Sequence, residues 1–133
     1  MRPVVLDTDV SSQILKNRLT GPLATRLVGA TWCVTFVTVA ELWQWAEVRH
    51  WGHRTRDQLD DWLGRVVVLD SDEAVSRTWG RISAAARFRG SARPVNDSWI
   101  AACCIANDVP LATLNTKDFA DFAEHDRLVL LAS

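Results

Sequence analysis

Pro3-Val4-Val5-Leu6-Asp7 decides how the rest of the chain is read. A short apolar run without polar alternation is a strand buried on both faces, the signature of a parallel sheet. It ends on an acid, Asp7, with Asp9 two residues on. Outward from it, short β-branched runs alternate with longer helical ones. Residues 7–17 and 22–28 read as two short helices, broken at Gly21-Pro22. Residues 31–35 are a second strand. A helix over 38–51 carries Val39, Leu42, Trp43 and Ala46 as its apolar stripe, and Gly52 ends it. In the helix over 55–63, Leu59, Trp62 and Leu63 face inward and Asp57, Asp60 and Asp61 outward. Strand 65–70 leads to a helix over 72–88 that places Val75, Trp79, Ile82 and Ala86 on one face. Residues 97–107 are apolar nearly all round and read as a central buried helix. Strands are expected at 111–113 and 128–131. The fold class is therefore α/β: a three-layer α/β/α sandwich around a mostly parallel sheet of 4–5 strands, in one domain over residues 1–133.

The composition agrees. The chain has 133 residues, 48% hydrophobic and 23% charged, which excludes a disordered, collagenous or coiled-coil protein. No apolar run approaches the roughly 20 residues of a membrane span. The first residues hold too short an apolar stretch for a signal peptide. The three cysteines cannot all pair, so buried, reduced thiols in a cytoplasmic protein are expected. Fifteen basic and 16 acidic residues give a net charge of −1, which speaks against a simple nucleic-acid glove. The distribution says more. Arg77, Arg81, Arg87, Arg89 and Arg93 lie in a stretch without any acid, residues 74–96, and make a local positive field or a solvated helix face.

In parallel sheets, ligands sit outside the carboxyl ends of the strands, where strand order reverses. Asp7 ends the first strand. Glu41 lies one turn into the helix after the second, among apolar neighbours. Asp97 opens the buried helix, and Asn115 and Asp118 follow the fourth strand. An acid at a helix start also serves as a cap. Several carboxylates on one edge, however, repel one another unless a cation sits between them. Hard oxygen donors without nearby His or Cys suit Mg²⁺ or Mn²⁺. Such a centre activates water and binds phosphate oxygens, so the chemistry points to phosphodiester hydrolysis, with nucleic acid as the expected substrate.

Four segments in this order resemble the PIN domain, and within it the VapC toxins of bacterial toxin–antitoxin pairs: Val4-Val5-Leu6-Asp7-Thr8-Asp9-Val10, Val39-Ala40-Glu41-Leu42, Asn96-Asp97-Ser98-Trp99-Ile100-Ala101-Ala102 and Leu111-Ala112-Thr113-Leu114-Asn115-Thr116-Lys117-Asp118-Phe119. The resemblance covers nearly the whole chain. It implies a Mg²⁺-dependent endoribonuclease that cuts structured RNA such as tRNA or rRNA, forms a homodimer and is held inactive by a cognate antitoxin. Asp7, Glu41 and Asp97 match its acidic core, Asp7 and Asp97 its usual metal ligands, and Thr8 the polar residue after the first acid. The last segment commonly reads Thr-x-Asp-x-x-Asp-Phe. Asn115 stands where its first Asp is usual, so the fourth ligand falls to the Asn115 amide or to Asp118.

Trp45, one turn beyond Glu41, is placed either to stack on a base or to pack against a neighbouring helix. Arg87, Arg89 and Arg93 are the expected substrate contacts. Trp51 and Trp62 flank the Gly52 hairpin, which in the resembled family helps to receive the antitoxin. The run from Arg49 to Arg56 suits RNA contact or an ordinary hairpin tip. Trp79 and Trp99 are expected in the core. Two other readings compete. A phosphatase of the haloacid dehalogenase type would use Asp7 as nucleophile. A non-enzymatic receiver-like module would accept a phosphoryl group with Asp7, Asp9, Asp70 and Lys117.

Overall fold

The computed structural model describes residues 2–131. Five parallel strands run in the order β3-β2-β1-β4-β5: β1 (Pro3–Leu6), β2 (Thr31–Thr35), β3 (Val67–Leu69), β4 (Leu111–Ala112) and β5 (Leu130–Leu131). Seven helices cover them: α1 (Thr8–Leu15), α2 (Gly21–Leu27), α3 (Phe36–Val48), α4 (His53–Leu63), α5 (Glu73–Phe88), α6 (Val95–Asn107) and α7 (Thr116–Asp126). The chain runs outward from β1 to β3, then crosses to β4 on the other side of β1. The gap at the carboxyl ends of β1 and β4 is thus the point where strand order reverses. A receiver-like module orders its strands 2-1-3-4-5, and this sheet does not.

The period of two along each strand divides the core between two layers. Val5, Cys33 and Leu111 face α5, α6 and α7, together with Ile82, Ile100, Cys104 and Phe122. Val4, Leu6, Val34 and Ala112 face the other way, onto Val10, Leu23, Leu42, Leu59 and Trp62. Trp79 and Trp99 pack against the first layer and stack on each other at 4.8 Å between ring centres.

Several expected boundaries move. Strand β3 is three residues long, and Val67 and Val68 are exposed because they form the sheet edge. α6 starts at Val95, so Asp97 sits in its first turn. α3 ends before Gly52: His50 takes the left-handed conformation, φ 53°, and Trp51 N–H reaches back to Ala46 O at 2.9 Å. Gly52 instead caps α4. No element is expected from the sequence over residues 116–126, yet they form α7. Its apolar content is little more than Phe119 and Phe122, which are buried. The acids around them hide the helical period.

Candidate active site

The polar edge is built from four chain segments that meet at the strand-order reversal. Asp7 follows β1 and caps α1, its Oδ1 accepting from Val10 N–H at 2.8 Å. Leu6 pairs with Ala112. The residues after each strand, Asp7 and Thr113, are therefore neighbours, and the Thr113 hydroxyl donates to the Asp7 carboxylate. Buried Thr8 donates its hydroxyl to Glu41 Oε1 at 2.7 Å and meets the Thr38 hydroxyl at 2.9 Å. Asn96 Nδ2 reaches the other Glu41 oxygen at 3.4 Å. Thr8 from α1 and Asn96 from α6 thus orient Glu41, and Thr38 holds the Thr8 hydroxyl.

Asn115 precedes α7, and its Nδ2 donates to Asp118 Oδ2 at 2.7 Å. Its backbone N–H donates to Thr113 Oγ1 at 3.0 Å. Asp7, Thr8, Asp9, Glu41, Trp45, Asp97, Asn115 and Asp118, floored by Ile100 and Phe119, line one cleft of about 110 Å³.

No Lys, Arg or His belongs to that lining. The electrostatic consequence is visible in the acids themselves. Burial raises the Asp7 carboxyl to about 6, against the lowering hydrogen bonds from Thr113 and Val10, with Asp9 and Asp97 adding repulsion. Burial likewise raises Asp97 to about 6, helped by the charges of Asp118, Glu41 and Asp9. Crowded oxygen donors without a cationic side chain are the donor set that a hard divalent cation satisfies. The donor set of the cleft fits such an ion, and Asp7 and Asp97 are its most perturbed carboxylates.

Among the described residues, Asp121, Glu124 and His125 bring ligand atoms within 4.8 Å of one another. That cluster lies elsewhere on α7, and Asp121 is already met by Arg93 at 2.6 Å and Arg89 at 3.6 Å. A larger concavity of about 600 Å³ is lined by Arg81, Asp108, His125 and Arg127 beside the start of β4. It lies away from the carboxyl edge, where parallel sheets place their chemistry.

Arg93, expected as a substrate contact, is instead already taken up by acids of this chain. Its side chain is 6% exposed, donates to Asp121 Oδ2 and Asp126 Oδ2 at 2.6 Å each and lies over the Phe122 ring at 4.1 Å. It ties the segment before α6 to α7. Arg89 leans on Asp121, and Arg77 is paired with Glu73. The positive field expected over residues 74–96 is therefore largely answered by acids distant in sequence or just outside that stretch. Arg87 is exposed, but it lines a different concavity beside Phe88.

Trp45 does line the cleft, and Arg49 lies over its ring at 4.5 Å. Trp62 is buried and Trp51 half-buried against the same layer. Asp9, two residues after Asp7, joins the cleft, whereas Thr38, Asn96 and Thr113 are not singled out by the sequence. The strand-end position of Thr113, equivalent to that of Asp7, is the signal that could have placed it. Thr38 and Asn96 had none beyond proximity to Glu41 and Asp97 in sequence.

The pattern of the PIN domain matches residues 4–125. The chain belongs to the PIN-domain family. PIN nucleases generally use a divalent metal, in keeping with the acid-only cleft. Ribonuclease VapC2 of Haemophilus influenzae is 29% identical over 120 residues, covering 90% of this chain and 91% of that protein. The fold is shared with two solved complexes. VapBC2 from Rickettsia felis, bound to a promoter DNA fragment, gives a TM-score of 0.82 at 19% identity over 98% of both chains. VapBC-1 from nontypeable Haemophilus influenzae gives 0.82 at 24% identity, covering 98% of this chain and 97% of that one. Neither the phosphatase nor the receiver reading is favoured. The PIN pattern spans the chain, and neither Lys16 nor Lys117 lines the cleft.

Proposed function

We propose that this PIN domain is a Mg²⁺-dependent endoribonuclease, the toxin of a toxin–antitoxin pair, with residues 1–133 acting as one domain. The observation that carries the reading is the cleft of carboxylates without a cationic side chain in its lining, in which two aspartates are held near 6. Asp7 and Asp97 hold the ion, with Glu41 and Asp118 completing an acidic rim. When bound, Mg²⁺ polarises the reacting phosphate and lowers the pKa of water. Thr8 and Asn96 fix the two oxygens of Glu41 so that it faces the cleft rather than solvent. Asn115 supplies no charge. Its amide steers Asp118, so Asp118 is the fourth acid and Asn115 its positioning partner.

The relatives named Ribonuclease VapC, and complexes titled VapBC, support an RNA substrate and a cognate antitoxin partner. Exposed Phe88 and Val95 support an apolar contact with a second copy, giving a homodimer. The experiment is incubation of the chain with total cellular RNA and Mg²⁺, followed by mapping of new 5′ ends. Discrete cuts that vanish with EDTA and in Asp97→Asn are expected. Intact RNA under all conditions overturns the reading.

A further inference from the structure

The cleft can bind a phosphate through its metal, but a nucleic-acid strand also needs a contact that holds the neighbouring nucleotide in place. The arginines at the end of α5 and just after it do not supply it at the cleft: Arg89 and Arg93 meet the acids of α7, and Arg87 lines another concavity.

Helix α3 offers a different arrangement. Glu41, Trp45 and Arg49 are four residues apart and share one face, spanning about 12 Å along the axis. Glu41 and Trp45 both line the cleft. Arg49 closes the helix, is exposed, and lays its guanidinium over the Trp45 ring at 4.5 Å. One face thus passes from acid to aromatic to cation, leading out of the reacting centre.

The end of α3 is also held firmly. Arg56, from α4, donates through Nε to Trp51 O at 2.8 Å and through Nη2 to Ala46 O at 3.1 Å, and pairs with Glu47 at 3.1 Å. His50 turns the chain away immediately after Arg49. A flat cation on a rigid mount, beside a metal-type cleft, has the chemistry to receive a nucleobase and the phosphate attached to it. Bases stack on guanidinium and aromatic planes, and the charge answers the phosphate.

We propose that Arg49, seated on Trp45, positions the nucleotide adjacent to the reacting phosphate. This rests on the ribonuclease reading. The base it takes must be free of its own stack, because a paired base in an A-form helix presents only its edges. Arg49 and Trp45 therefore favour an unpaired stretch at the point of cleavage.

The test uses a fluorescein-labelled oligoribonucleotide of about ten residues without self-pairing, alone or annealed to its complement. Its affinity is measured by anisotropy in Mg²⁺ on the Asp97→Asn protein, which does not consume it. The second-site changes are Arg49→Gln, Arg49→Lys and Trp45→Leu, each checked for an unchanged melting profile. Arg49→Gln is expected to weaken the single strand about tenfold and to lower the salt slope by roughly 0.7. Arg49→Lys should restore the slope but not the affinity, because it keeps the charge and loses the plane. The duplex should bind more weakly and ignore residue 49.

Equal single-strand affinity for Arg49→Gln and its parent overturns the proposal. So does an equal loss on the duplex, or a loss of antitoxin affinity with RNA binding intact. In the otherwise wild-type chain, Arg49→Gln should raise KM for RNA cleavage and leave kcat near wild type. If the wild type cuts RNA and Arg49→Gln matches it in KM, this inference alone fails. If no RNA is cut or bound, the ribonuclease reading fails first.

Discussion

Replacing Asp7 by Asn should stabilise the metal-free protein at neutral pH while removing its response to Mg²⁺. Asp7 is 5% exposed, and its carboxyl is raised from 3.8 to about 6. At about 1.36 kcal/mol per pH unit, that displacement corresponds to about 3 kcal/mol against the ionised folded state. The sign follows from proton uptake. Below about pH 4, Asp7 is protonated whether the chain is folded or not, and carries no penalty. As pH rises through the window from 3.8 to about 6, the unfolded chain releases the proton first. The folded state then binds more protons, and its stability falls with pH until the folded carboxyl has ionised.

Asn removes this term and keeps the cap on α1, since its amide oxygen can accept from Val10 N–H. Its own burial and its altered bond to Thr113 are constant with pH. A net gain of about 2 kcal/mol near pH 7 is expected, about 8 °C in Tm for a chain of this size. The assay is thermal melting of both proteins in EDTA from pH 4 to 8, then with added Mg²⁺. The advantage of the variant should appear only above about pH 4 and level off above about 6. Mg²⁺ should raise the wild type by linkage and leave the variant nearly unmoved. A difference between the two proteins that is the same at every pH would refute the electrostatic account of the cleft.

Asp97→Asn should leave the fold intact and abolish cleavage in the total-RNA assay, and EDTA should do the same to the wild type. Arg93→Gln should cost about 3–5 kcal/mol in urea unfolding, because it leaves Asp126 buried without its cation, and a near-neutral effect would contradict the strap from the segment before α6 to α7. Asn115→Asp would set a carboxylate against Asp118 in place of the present 2.7 Å hydrogen bond. It should therefore lower Tm in EDTA, gain more from Mg²⁺ than the wild type and tighten metal binding by titration, whereas equal Mg²⁺ responses would place residue 115 beyond the reach of the ion.

Much of this protein is legible along the chain because its signals are local. Apolar β-branched runs such as Val4-Val5-Leu6 can be satisfied only by burial on both faces, so strands 1 to 3 and the α/β class follow from pattern alone. An acid that ends a buried strand, Asp7, and an acid in the first turn of an apolar helix, Asp97, are visible for the same reason: each is a charge where its neighbours exclude water. Helix α7 was missed because its two phenylalanines are diluted by acids. Those acids make sense only once Arg93 and Arg89, from another segment, stand beside them.

Charge therefore marks the limit. The sequence determined which residues carry charge and which segments must be buried, and with them the fold class and the acidic core. Only the tertiary structure decided which charges meet. Ion pairing depends on distances of a few ångström between residues such as Arg93 and Asp126, which no spacing along the chain encodes. Packing two helices together turned Arg93 from an expected phosphate contact into a strap. It left Asp7 and Asp97 in a lining without a cationic side chain, and stood Arg49 over Trp45, which lines the same cleft.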